Sequence, residues 1–139
     1  MSVREEKQWR RLLVLWLPAV VWMGLIFWLS SFGHDPVSQA AGIDFLVRKT
    51  GHVTEYAILG VLLLRALLGS QRLARLAAWA PYVLAIGLGS LYAASDEFHQ
   101  RFVPTRDGNL HDVVLDMVAV TLAVVLLWLW QRRGLRQQQ

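Results

Sequence analysis

The most regular feature of the sequence is the alternation of four long apolar segments with short polar ones. The apolar segments cover residues 12–30, 50–68, 79–95 and 110–130. Because a bilayer core of about 30 Å needs roughly 20 apolar residues in a helix, each segment is close to the length of a membrane span. The pattern therefore predicts an all-α membrane protein: a single domain over residues 1–139 whose four transmembrane helices form an up-down-up-down bundle.

The connection between the first two segments carries its own helical signal. Asp35 and Pro36 form a typical helix start, and residues 37–49 follow it. This stretch is predicted to be a short amphipathic helix at the membrane interface, with Leu46 and Val47 among the residues that face lipid.

Composition supports a membrane protein and argues against both a cysteine-dependent protein and a nucleic-acid-binding protein. The chain is 55% hydrophobic and has seven Trp residues, a residue type that favours the headgroup region of a bilayer. It has no Cys, which excludes disulfides and thiolate metal sites. The net charge of +4 does not indicate a nucleic-acid partner, because the basic residues flank the apolar segments.

The basic residues also predict the orientation of the chain. Three groups of them fall on one side of a four-helix arrangement: Arg4, Lys7, Arg10 and Arg11; Arg65, Arg72 and Arg75; Arg132, Arg133 and Arg136. This side holds ten of the fourteen basic residues and is predicted to be cytoplasmic, with both termini. The opposite side, the outer face, holds all four histidines and eight of the ten acidic residues.

Polar side chains in or near the apolar segments form four groups at the outer face. They are Lys49, His52, Glu55 and Tyr56; Asp96, Glu97, His99 and Gln100; Arg106; and Asp112 with Asp116. Charged groups inside membrane helices are costly, so each group is a functional hypothesis. Two acids at the end of the third helix oppose its macrodipole. Asp116 lies too deep for a capping role and needs an inward partner, for which Arg106 and His52 are the candidates.

Several of these residues also have a purely structural interpretation. Lys49 could extend to the interface and Tyr56 could be an aromatic anchor. Arg106 could neutralise an acid within the protein as readily as bind a carboxylate or phosphate. Asp112 lies at the third helical position behind Asn109, a favourable place for an acid after a helix cap.

Blocks in the last three segments resemble the signature of VanZ-like proteins, small bacterial membrane proteins related to the teicoplanin-resistance protein VanZ. The blocks are His52-(x)3-Tyr56-(x)2-Leu59-Gly60, Asp96-Glu97-(x)2-Gln100, Pro104-x-Arg106 and Asp112-(x)3-Asp116. A glycine is common in that family where this chain has Thr105. The resemblance implies the bacterial cytoplasmic (inner) membrane as the location and the cell envelope, including antibiotic resistance, as the field of action.

The outer polar residues allow an enzyme or a binding protein for a lipid-linked or amphiphilic anionic envelope molecule, such as a cell-wall precursor or lipoglycopeptide. In the enzyme hypothesis the catalytic candidates are His52, Glu55, Asp96 and Glu97, and His52 is the preferred proton carrier. The binding candidates are Lys49, Tyr56, His99, Gln100, Arg106, Asp112 and Asp116.

Two further hypotheses use the same side chains. The acids and histidines are suitable oxygen and nitrogen ligands for a metal, although the acids could pair with arginines instead. Alternatively, the polar residues could form a hydrogen-bonded network that fixes helix register. The sequence leaves the presence of a cofactor, and whether the protein is an enzyme, open.

Overall fold

The computed structural model describes most of the chain, namely residues 3–33, 41–70, 77–104, 106 and 108–136. Regular structure in these stretches is entirely helical. The four helices are α1 (Val3–Ser30), α2 (Ala41–Gly69), α3 (Ala80–Gln100) and α4 (Leu110–Arg136). The all-α prediction is confirmed, and every predicted apolar segment falls in a helix apart from Trp79, which precedes α3.

Three helices among the described residues are long and apolar enough to cross a membrane. The qualifying portions are Glu5–Ser30, Lys49–Gly69 and Leu110–Gly134. The 21-residue α3 is not one of these three, and its last two turns carry the polar side chains of Asp96, Glu97, His99 and Gln100. Pro81 lies in the first turn of α3, where its missing N–H removes no helical hydrogen bond.

The predicted interfacial helix is not a separate element in the described part of the chain. Residues 41–49 are the first turns of α2 and continue without a break into its apolar portion. No Pro interrupts this stretch, and Gly51 is accommodated within the helix, so nothing in the local sequence ends it before the span. The beginning of the predicted segment, residues 37–40, lies outside the described residues.

The centre of the structure is α2, which packs against all three other helices. Its buried residues Tyr56, Leu59, Leu63 and Leu67 recur at spacings of three and four, which places them on one helical face. α1 contacts α2 and α3 but, among the described residues, not α4. Large apolar side chains such as Trp130, which is 72% exposed, cover the outside, as suits a protein surrounded by lipid.

Two glycines allow α2, α3 and α4 to approach one another closely. Val120 of α4 is fully buried and lies against Gly60 of α2 and Gly89 of α3. A Cβ atom on Gly60 would lie 3.1 Å from the Val120 carbonyl oxygen, and one on Gly89 would lie 2.8 Å from Val120 Cγ1. Small residues at such contacts are the usual means of close packing between membrane helices.

We expect Gly60→Leu to lower the free energy of unfolding by about 1–3 kcal/mol, because the new side chain must displace the backbone of α4. The matched control is Gly87→Leu, since a Cβ there meets no described atom within 4 Å. Thermal unfolding in a mild detergent, followed by tryptophan fluorescence, measures both variants. Equal stability of the two would contradict the packing described here.

Candidate functional site

Polar side chains meet where α1 and α3 end and α4 begins, beside the first half of the apolar portion of α2. Ser30 of α1 and Tyr56 of α2 both hydrogen-bond to Asp96 of α3. His52 of α2 reaches Asp116 of α4. The structure therefore brings together residues that lie far apart in the sequence, including members of all four predicted polar groups, since Arg106 also contacts Gln100.

Asp96 is the most heavily hydrogen-bonded of these residues. Its carboxylate is buried and accepts three hydrogen bonds: from Ser30 Oγ at 2.6 Å, Tyr56 Oη at 3.2 Å and Gln100 Nε2 at 2.9 Å. These donors come from α1, α2 and α3 and compensate for the water that the carboxylate loses on burial. A satisfied network of this kind stabilises the helix arrangement, which is the structural role considered above.

Arg106 ties the connection between α3 and α4 to the end of α1. Its Nε donates to the Phe32 carbonyl at 3.0 Å and its Nη2 to the Leu29 carbonyl at 3.3 Å. Its Nη1 donates to Gln100 Oε1 at 3.1 Å, so it also touches the Asp96 network. The last carbonyls of a helix lack intrahelical donors and carry partial negative charge, which makes them favourable partners for a guanidinium.

A second polar centre is formed by His52, Glu97 and Asp116. His52 Nδ1 lies 3.4 Å from Asp116 Oδ2, which confirms His52 as one of the two inward partners considered for this acid. One potential ligand atom from each of the three residues lies within 4.8 Å of the others. Glu97 Oε2 accepts a hydrogen bond from the Asn109 backbone N–H at 3.1 Å, so the connection before α4 orients this side chain.

The remaining candidates lie around these two centres. Lys49 forms an ion pair with Asp112 between α2 and α4. Asn109 caps α4 as predicted, because its Oδ1 accepts the N–H of His111 at 3.1 Å. His99 is not part of the second centre: its ring stacks on Phe27 with 4.4 Å between centroids.

A cleft of about 320 Å³ opens beside the two centres, between the end of α1, the first half of α2 and the connection before α4. Its lining residues are Leu29, Ser30, Phe32, Gly33, Gly51, His52, Glu55 and Arg106. The walls thus combine a guanidinium, an imidazole and a carboxylate with apolar side chains. Such a surface can hold a small anionic group on one side and hydrocarbon on the other.

Trp22 fixes the wall of the cleft that Glu55 occupies. The indole Nε1 of Trp22 donates to the Glu55 backbone carbonyl at 2.9 Å and so joins α1 to α2 at a residue that lines the cleft. Glu55 itself lines the cleft one turn after His52, on the same face of α2. Both side chains are therefore positioned to contact a molecule bound there.

Comparison with known proteins identifies the family of this chain. A family model described as VanZ/LLP1 matches residues 14–131, which include the cleft and both polar centres. The chain belongs to the VanZ/LLP1 family. No curated protein and no solved structure is significantly similar to it.

In this member of the VanZ/LLP1 family, the Asp96-Glu97-(x)2-Gln100 block contributes to both polar centres. Asp96 and Gln100 share one face of α3 and hydrogen-bond to each other, whereas Glu97 is rotated by about 100° and belongs with Asp116. Ser30 is a site residue that the sequence did not indicate. A single Ser at the end of an apolar segment gives no signal of its partner, 66 residues away.

We expect Asp96→Asn to lower the free energy of unfolding by about 2 kcal/mol, because an amide offers one acceptor oxygen to donors that now meet a carboxylate. Asp112→Asn is the matched control. Its partner Lys49 is partly exposed, and such a pair contributes about 1 kcal/mol or less. Chemical unfolding in detergent compares them, and an equal loss of stability in both variants would refute the special role of Asp96.

Proposed function

We propose that the chain is a multi-pass protein of the bacterial cytoplasmic membrane, in which α1 to α4 cross the bilayer in alternating directions and both termini are cytoplasmic. The three apolar helices and the excess of basic residues at one side support this topology. α3 has 21 residues and is about 30 Å long, enough to cross the hydrocarbon core. The contacts of Asp96 with Ser30 and Tyr56, at the end of α1 and early in the apolar part of α2, fit alternation.

Cysteine labelling tests this topology directly, because the natural chain has no Cys. Ser31→Cys introduces a thiol at an exposed position after α1, and Gly134→Cys introduces one at an exposed position near the end of α4. A membrane-impermeant maleimide should label position 31 in intact spheroplasts and position 134 only after permeabilisation. The reverse pattern would overturn the orientation, and labelling of both positions in intact spheroplasts would overturn the alternation.

We further propose that the cleft binds the anionic headgroup of a lipid-linked or other amphiphilic envelope molecule. The observation that carries this proposal is the lining of the cleft, which places Arg106 beside Leu29 and Phe32. A guanidinium matches the geometry of phosphate and carboxylate groups, and the apolar side chains suit the adjoining hydrocarbon. The resemblance to teicoplanin-resistance proteins indicates the kind of phenotype in which such binding would appear.

His52 and Glu55 are the residues that would act on the bound headgroup. An imidazole changes its protonation near neutral pH, and Glu55 lies one turn away on the same face of the cleft. His52 is therefore the proposed general acid or base and Glu55 the carboxylate that assists it. A non-catalytic receptor would use the same Arg106 contact without this pair.

Native mass spectrometry with an added polyprenyl phosphate tests headgroup binding. We expect the wild-type protein in mild detergent to retain the lipid and Arg106→Gln to bind it at least ~10-fold more weakly, since a charge-assisted pair contributes about 1.5–3 kcal/mol. The control is Arg132→Gln, an equivalent change on α4 at a residue that stacks on Trp128 and does not line the cleft.

Folding must be checked in the same samples, because Arg106 also holds the connection to α1. Arg106→Lys keeps a positive charge and should recover part of the binding. Failure of the wild-type protein to retain the lipid, or equal retention by the variants at positions 106 and 132, would contradict the proposal.

A further inference from the structure

The centre formed by His52, Glu97 and Asp116 has the composition of a metal site. Each residue comes from a different helix, and one potential ligand atom of each lies within 4.8 Å of the others. Imidazole nitrogen together with carboxylate oxygen is a donor set that divalent ions such as Zn²⁺ and Mn²⁺ accept. Three ligands from three helices would hold one ion while leaving coordination positions for other ligands.

Burial without hydrogen bonding is an independent sign that this centre takes a ligand. Asp116 is fully buried and Glu97 is only 3% exposed. Asp116 Oδ1 and Glu97 Oε1 are buried and have no hydrogen-bond partner among the described residues. Buried carboxylate oxygens are almost always paired, since an oxygen without a donor has lost its hydrogen bonds to water and gained none in return. The neighbouring Asp96 obeys that rule with three donors.

The geometry around Glu97 resembles the support that metal ligands usually receive. One carboxylate oxygen, Oε2, is held by the Asn109 backbone N–H, which leaves Oε1 as the oxygen without a partner. Outer hydrogen bonds of this kind orient a ligand toward its metal. The other oxygen of Asp116, Oδ2, lies near the ring of His52, so the two side chains are already in contact.

A bound dication would balance the charge of its own ligands at this centre. With both carboxylates ionised and the imidazole neutral, as metal binding requires, one divalent ion would neutralise two negative charges in surroundings where water is scarce. The nearby ammonium of Lys49 is paired with Asp112, one turn earlier on α4.

We propose that His52, Glu97 and Asp116 bind a single divalent transition-metal ion, Zn²⁺ or Mn²⁺. Bonds of about 2.0–2.2 Å in tetrahedral geometry place ligand atoms roughly 3.3–3.6 Å apart, so the three side chains, whose ligand atoms now lie within 4.8 Å of one another, would move inward on binding the ion. Because His52 also lines the cleft, the ion would lie at the boundary between the helix core and the bound molecule, and the ring nitrogen bound to the ion would no longer serve the proton transfer proposed above. The inference of a metal site does not depend on the proposed binding of a headgroup.

Titration with the metal alone tests this inference. The protein is purified in mild detergent, stripped with a chelator and titrated with ZnCl₂ or MnCl₂ by isothermal calorimetry, with metal content checked by elemental mass spectrometry. We expect one ion per chain for the wild type. Asp116→Asn and Glu97→Gln each remove a ligand and should weaken binding by at least ~10-fold, the minimum seen when even supporting residues are lost.

Asp112→Asn is the matched control, because it makes the same chemical change one turn away, at an acid that pairs with Lys49 and lies outside the three-residue centre. It should retain wild-type affinity. Circular dichroism and gel filtration establish that each variant is folded, and His52→Gln provides a third substitution at a less buried position. Absence of stoichiometric Zn²⁺ and Mn²⁺ binding by the folded wild type, or unchanged affinity in the folded ligand variants, would overturn the proposal. Since no lipid is present, either result is separate from the test of headgroup binding.

Discussion

A carboxylate in an apolar helix bundle imposes the constraint on which the polar end of this protein depends. Asp96 is buried, and its stability requires donors that only neighbouring helices and the next turn of α3 can supply. Ser30 and Tyr56 meet that requirement from α1 and α2. The same contacts fix how far each helix extends past the others, and the cleft is one result of that arrangement.

The two adjacent acids at the end of α3, Asp96 and Glu97, make different contacts that one carboxylate could not make alone. Asp96 is surrounded by donors and acts as a fixed point of the fold, whereas Glu97 retains an oxygen without a partner among the described residues. A rotation of about 100° between adjacent helical residues is enough to direct them to different neighbours. Structural and chemical roles can therefore be adjacent in sequence without sharing contacts.

The sequence was sufficient to predict the four helices and to identify most of the polar side chains that meet at one end of them, because long apolar segments and costly charges are strong local signals. It indicated His52 among the partners of Asp116 from depth alone. It could not show that His99 packs on Phe27, that Ser30 bonds to Asp96, or that residues 41–49 continue into α2. Each of these outcomes depends on how helices rotate and pack, information that a one-dimensional pattern of polarity does not contain.

The peripheral position of α1 has a consequence for the order in which the protein assembles. α1 is made first, yet Ser30 bonds to a residue of α3, and the Leu29 carbonyl is bonded by Arg106, 77 residues later. The contacts of its polar end can therefore form only after α2, α3 and the connection that follows α3 have been synthesised. The contact of Trp22 with α2 requires only α2 itself. α1 and α2 would then form an early hairpin, and the arrival of α3 and the following connection would complete the contacts of α1 before α4 packs on the other helices.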